Sequence, residues 1–206
     1  PSGAESLMYT LANVIVQSGV NGFGSDTVAA WTAYGKIDVL YWMLMASFGT
    51  AIMTFVGQNY GAGNLERVKK GVVQCSVMTT ALSILTSVFV VCFGRPLLSI
   101  FTDDPTVIEI GYKNMMCTIA PAYITYNLVE VITGALRGMG DSVKPLAISV
   151  FSICLLRIVW MFTVVPATGS LRVLVLCFPI SWLTTSIAFV IYYRKKMQKL
   201  QKGLVN

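Results

Sequence analysis

Six long apolar stretches fill almost all of this 206-residue chain, with only short polar breaks between them. A helix needs about 20 apolar residues to cross the hydrocarbon of a bilayer. The stretches fall at about residues 3–20, 27–56, 68–93, 105–136, 142–165 and 171–193. No linker or low-complexity tract divides them. The expected fold is all-α: a polytopic membrane protein forming a single six-helix transmembrane bundle over residues 1–206.

Charge points the same way. Charged residues make up 12% of the chain, against about 25% in soluble domains. A water-facing surface cannot be built from so few, so the lipid bilayer is the expected partner. A net charge of +6 in a soluble protein would raise nucleic-acid binding. Here the basic residues stand mainly at the ends of apolar stretches, which is how membrane orientation is encoded, and no nucleic-acid partner is expected. Arg67, Lys69, Lys70, Arg137, Lys144 and the tail Arg194, Lys195, Lys196, Lys199 and Lys202 share one side; Asp26, Arg95, Asp103, Asp104 and Arg172 share the other. The basic side is expected to be cytoplasmic, with both chain ends there, in a cell membrane. The basic tail also suits contact with anionic lipid.

The chain has no histidine. That removes Ser/His and Cys/His catalysis, histidine metal sites and histidine pH switching. The five cysteines are odd in number, scattered and mostly inside apolar runs, so they read as packing residues rather than disulfides or metal ligands. No enzyme activity, metal or organic cofactor is expected. Pro1 already opens an apolar helix with no charged leader ahead of it. The expectation is a start cut inside a longer protein.

Prolines punctuate the stretches. Arg95-Pro96 is expected to end the third, Asp104 to cap the fourth with Pro105 in its first turn, Pro121 to kink it, Pro166 to stop the fifth and Pro179 to bend the sixth. The longest connection is expected at the glycine-rich segment Gly57 to Arg67. Asn64, Asp141 and Ser142 are ready helix caps.

Polar side chains in lipid are costly and face the protein interior or a cavity. Glu5, Tyr9, Asn13 and Gln17 recur every four residues on the first helix. Lys36, Ser47, Thr50, Thr54 and Gln58 fall on one side of the second. Tyr123, Tyr126, Glu130, Thr133 and Arg137 are spaced by three or four on the fourth. Either the three stripes surround one wet cavity, or they are interhelical hydrogen bonds in a dry bundle. Glu5, Lys36, Asp38, Glu130 and Arg157 all lie within predicted helices. A carboxylate in an oily interior takes up a proton or a cation rather than stand bare, which is the chemistry of a coupling-ion site. The alternative is fixed pairing, Arg157 with Glu130 or Lys36 with Asp38 or Glu5. Glu109 and Lys113, four apart, read as a surface pair. Trp42, Met43, Met45 and Phe48 read as core packing first, with soft apolar contacts to a small molecule as the alternative.

GQNYGAG is not a phosphate loop, since it lacks the Gly-Lys-Ser/Thr ending and a preceding strand. GQNYGAGNLERVKKG (Gly57 to Gly71) instead resembles the GQN-x-GA-x(4)-R signature of the multidrug and toxic compound extrusion (MATE) transporters, through Gly57, Gln58, Asn59, Gly61, Ala62 and Arg67. GALRGMGDSVKP (Gly134 to Pro145) resembles the family's LRG-x-G-x-S/T marker through Arg137, Gly138 and Gly140. LLSIFTDDPTVI (Leu97 to Ile108) and LLRIVW (Leu155 to Trp160) are similar too, so the resemblance covers essentially the whole chain.

The resemblance implies two six-helix lobes related by an axis along the membrane normal. The basic tail after the sixth stretch makes this chain look like the C-terminal lobe, with the N-terminal lobe as a missing partner. It implies efflux of hydrophobic or cationic small-molecule drugs in exchange for H+ or Na+. Glu5 approximately matches an acidic position on the first helix of that lobe in the NorM-like branch. A second such acid corresponds to a spot near Tyr126, with Glu130 about one turn on. The coupling roles therefore fall to Glu5 and Glu130, and cavity-lining roles to Asn13, Gln17, Lys36, Tyr123, Tyr126 and Asn127. Gly35-Lys36-Ile37-Asp38 looks like a bacterial variant and receives no role. The rival expectations are a flippase of the same superfamily moving a lipid-linked precursor, and a structural membrane subunit that transports nothing.

Overall fold

A computed structural model describes residues 2–205, and the side chains of all but residues 2, 4, 5, 118–121, 204 and 205. The chain forms α1 (Ser2–Asn21), α2 (Ser25–Gly61), α3 (Leu65–Ser99), α4 (Pro105–Gly138), α5 (Val143–Ser149), a π-helical turn (Val150–Leu155), α6 (Leu156–Thr168), α7 (Leu171–Val175) and α8 (Cys177–Val205). Among the described residues there is no strand. Four segments are long and apolar enough to cross a membrane: Ser25–Gly61, Leu65–Ser99, Val143–Thr168 and Leu171–Gly203. Pro105–Cys117 and Ala122–Gly138, the two arms of α4, together make a fifth, bent by 56°. Pro121 lies in the sequence between those two arms, and a proline has no N–H to give to a helical ladder. α1, with 20 residues, is about 30 Å long.

α4 is the central helix and packs along α2, α3 and α8. Close approach to α2 depends on glycine. A Cβ on Gly134 would strike the Gly49 carbonyl, and one on Gly138 would stand 3.0 Å from the Gly57 nitrogen. The two glycine-rich motifs thus meet across the α2–α4 contact. Aromatic packing ties the middle: the Tyr41 and Tyr123 rings stack with centroids 3.5 Å apart. The Tyr41 hydroxyl donates to the Tyr123 carbonyl at 3.0 Å and lies 3.0 Å from Ser83 Oγ on α3. Large apolar side chains such as Leu40, Val77, Leu85 and Phe162 face outward, as lipid contact requires.

Three sequence expectations change. Gly57 to Gly61 belong to α2, which runs on through the motif, so the connection shrinks to Ala62, Gly63 and Asn64. Gly63 turns the chain at φ 72° and Asn64 caps α3 by accepting from the Arg67 N–H at 3.1 Å. α3 continues past Pro96 to Ser99, and α6 past Pro166 to Thr168; a proline costs a helix one hydrogen bond and need not end it. The sixth stretch breaks at Leu176 rather than bending at Pro179, which sits in the first turn of α8 where its missing N–H costs nothing. Asp104 does cap α4, accepting from the Thr106 N–H at 2.8 Å.

Candidate functional site

α1, α2, α4, α6 and the start of α8 enclose a cavity of about 480 Å³. α1 gives Tyr9, Asn13 and Gln17, three members of its four-residue polar stripe. α2 gives Trp31, Tyr34, Asp38 and Trp42. Tyr126 comes from α4 and Arg157 from α6, while Phe178 and Trp182 come from the first turns of α8. The volume is that of an ordinary small-molecule pocket. Its walls are mainly aromatic, with a carboxylate and a guanidinium inside.

Asp38 is held from two helices. Trp42 Nε1, one turn on along α2, donates to Asp38 Oδ2 at 2.6 Å. The Tyr123 hydroxyl donates to Asp38 Oδ1 from α4, and Tyr34 also bonds the carboxyl. These three donors hold the carboxyl at the cavity wall, and a carboxylate has about four acceptor sites, which leaves it room for a further partner. Trp42 also touches the next ring: its indole meets Tyr126 edge-on at 4.4 Å and Trp182 at 5.5 Å.

Arg157 is 3% exposed. Its Nε donates to Ser181 Oγ at 3.2 Å and its Nη1 to Asn13 Oδ1 at 3.3 Å. The guanidinium lies 4.3 Å from the Phe178 ring centroid and 5.6 Å from that of Trp182, where aromatic faces offset part of its lost hydration. It stands two residues beyond the π-helical turn. Such a turn inserts an extra residue and re-aims the side chains beyond it.

The sequence-derived residues separate into groups. Asn13, Gln17 and Tyr126 line the cavity. Tyr123 stands behind the wall, buried, holding Asp38. Glu130 is not among the described walls: it lies between α4 and α2 beside Gly49, and its Oε2 accepts from the Tyr126 hydroxyl at 2.8 Å. Asn127 turns the other way, donating from Nδ2 to Thr80 Oγ1 of α3 at 2.7 Å. Lys36 is exposed on the far side of α2, with its ammonium 5.2 Å from the Phe101 ring centroid. Two residues turn a helix by about 200°, so Lys36 and Asp38 cannot face one space. The Glu5 side chain lies outside the described residues.

The polar stripe of α2 does not reach this cavity. Ser47, Thr50, Thr54 and Gln58 line a separate open groove, and the hydroxyls donate to their own helix, as Thr50 Oγ1 does to the Ala46 carbonyl at 3.0 Å. Trp42, read from sequence as packing first and as an apolar contact second, is a cavity wall. Among the motif residues, Gly57 and Gly138 face each other, and Asn59 donates to the Phe55 carbonyl at 2.7 Å. Gly61, Ala62, Arg67 and Gly140 are exposed at the turns, and Arg137 is half-buried. Among the described residues no three His, Cys, Asp or Glu side chains gather to hold a metal.

The chain belongs to the MatE family, whose model matches residues 1–163. It is 28% identical over 203 residues to the probable multidrug resistance protein YpnP of Bacillus subtilis, covering 98% of this chain and 45% of that protein. It is 25% identical over 193 residues to the FAD transporter of Shewanella oneidensis, covering 91% of this chain and 41% of that one. A crystal structure of MATE in the bent conformation superposes with a TM-score of 0.91 at 17% identity, over 100% of this chain and 46% of that one. The chain thus spans less than half the length of these relatives.

Proposed function

We propose that this chain is the C-terminal six-helix lobe of an H+- or Na+-coupled multidrug efflux antiporter, working with a second six-helix lobe. Asp38 joins Glu5 and Glu130 as a coupling carboxylate. The observation that carries this reading is the Asp38 carboxyl set into an aromatic cavity by Trp42 and Tyr123. Ion and cargo are linked through the walls. Trp42 bonds Asp38 and packs on Tyr126, and Tyr126 donates to Glu130. A proton or cation arriving at either carboxyl changes the hydrogen bonds that hold these rings, so cargo and ion compete for one arrangement of the cavity. The basic-rich side, with both chain ends, faces the cytoplasm.

The test is ethidium binding by the full-length protein as sodium and pH are varied separately. One of the two ions should weaken ethidium binding in wild type and leave it unchanged in Asp38→Asn. Equal sensitivity in both proteins would remove Asp38 from the reading.

A second reading of the cargo rests on Arg157. Its guanidinium shares the cavity with rings able to stack on a planar molecule, and the Shewanella oneidensis relative is named for an anionic aromatic cargo. If Arg157 recognises an anionic group, flavin mononucleotide should bind more tightly than uncharged riboflavin. Arg157→Lys should narrow that preference, because lysine lacks the planar fork. Equal binding of the two flavins by wild type would end this reading.

A further inference from the structure

At the end of the bundle away from the aromatic cavity, Asp141, Lys144, Tyr192, Lys195, Lys196 and Lys199 line a recess of about 610 Å³. Its chemistry is unlike the rest of the surface. Asp141 is its one acid among the described walls, and it is already engaged: Lys196 Nζ donates to Asp141 Oδ2 at 2.8 Å, and the Tyr192 hydroxyl donates to the same oxygen. The Asp141 and Lys196 side chains are 14% and 19% exposed, so this ion pair forms the floor. Lys144, Lys195 and Lys199 are exposed around it, and the Lys144 ammonium lies 5.6 Å from the Tyr192 ring centroid. Three positive charges are left facing one concave space.

The recess is continuous with lipid-facing surface. Ile187, Ile191, Lys195 and Lys199 follow at four-residue spacing along one ridge of α8, the isoleucines exposed below and the lysines above. Twelve residues of helix rise about 18 Å, enough to pass from acyl chain to headgroup level. Val143, 68% exposed, precedes Lys144 at the start of α5, so apolar surface adjoins the recess there too. The other basic segment of the same end lacks this form. Lys70 there is paired with exposed Glu66 at 3.3 Å.

We propose that this recess binds the headgroup of an anionic phospholipid, its phosphate held by Lys144, Lys195 and Lys199 and its acyl chains lying along Ile187, Ile191 and Val143. The Asp141–Lys196–Tyr192 cluster positions α8 against the start of α5 so that the three lysines converge. A zwitterionic phospholipid offers the same chains without net negative charge and binds less well.

Native mass spectrometry of the delipidated full-length protein tests this, titrating phosphatidylglycerol, phosphatidylcholine and inorganic phosphate. The first phosphatidylglycerol adduct should form well below the concentration needed for phosphatidylcholine. Lys195→Ala/Lys199→Ala should weaken that adduct by about tenfold or more, since each lysine near an anionic headgroup contributes appreciably. Lys195→Arg/Lys199→Arg should retain it, and Lys69→Ala/Lys70→Ala should leave it within about twofold. Equal weakening by both alanine pairs would show diffuse attraction and overturn the proposal. So would equal binding of the two lipids, or displacement of the adduct by inorganic phosphate at equal concentration, which would make the recess a free-phosphate site.

Discussion

Trp42 and Asp38 lie one helical turn apart on α2, and the indole N–H of the first is bonded to the carboxyl of the second at 2.6 Å. The pairing needs no other helix to form it. It turns a packing residue into a reporter of the carboxyl's state, because the same indole leans on Tyr126 and Trp182.

Trp42→Phe keeps an aromatic wall and removes that N–H. A hydrogen bond to a charged group is worth about 1.5–3 kcal/mol. Gradient-driven efflux by the full-length protein should fall by about tenfold or more, with amounts in the membrane unchanged. Trp42→Tyr, whose hydroxyl does not sit at the indole nitrogen, should not restore it. Efflux assays on both variants at matched expression check this.

Glycine has two uses in the motifs, and substitution separates them. Gly138→Val drives a branched side chain into the Met53 carbonyl and the Gly57 backbone. It should cost about 1–3 kcal/mol or more, seen as a lower midpoint of thermal unfolding in detergent. Gly61 is helical with open space where a Cβ would stand. Gly61→Ala should be neutral or stabilising by up to about 1 kcal/mol.

The recess floor predicts a pH dependence. Burial alone would raise the Asp141 pKa, but hydrogen bonds from Lys196 and Tyr192 outweigh it and hold the carboxyl below its usual value of 3.8. A group with a depressed folded pKa stabilises the fold above its ordinary pKa and loses that contribution as pH falls through the folded value. Asp141→Asn should therefore lower thermal stability by about 1.5–3 kcal/mol at neutral pH. The gap to wild type should narrow as pH drops below 3.8.

Glu130→Gln retains the shape beside Gly49 and removes the charge that the Tyr126 hydroxyl meets. Coupled efflux should fall by about tenfold or more given the hydrogen bond to charge that is lost, while membrane insertion is preserved. Cell-surface quantification alongside drug-resistance measurements checks both halves. Asn127→Ala, on the α3 side, should instead act on stability, since the α4–α3 hydrogen bond to Thr80 Oγ1 is lost while Thr80 keeps the Ser76 carbonyl.

Much of the bundle was legible because lipid imposes a simple rule: long apolar runs become long helices. The glycine motifs were legible as motifs, but that Gly57 and Gly138 meet across the α2–α4 contact shows only in the packing. The α1 stripe was legible because Tyr9, Asn13 and Gln17 repeat every four residues. The same rule applied to Tyr34, Asp38 and Trp42 would have found the cavity face of α2. Lys36, Ser47 and Thr50 drew attention to the opposite face, where serine and threonine satisfy themselves on their own helix. Arg157 was legible as a charge inside a helix and a candidate for a cationic cavity, but not as the residue that faces this one. Its direction is set next to a π-helical turn over Val150–Leu155, an apolar run in which no residue pattern announces the extra residue.

The most direct measurement is ethidium efflux by the full-length protein in vesicles, with sodium and proton gradients imposed separately, comparing wild type with Asp38→Asn. Wild type should expel ethidium under one of the two gradients, and Asp38→Asn under neither, although it inserts and folds. Gradient-driven efflux by Asp38→Asn at the wild-type rate would contradict the assignment of ion coupling to this cavity.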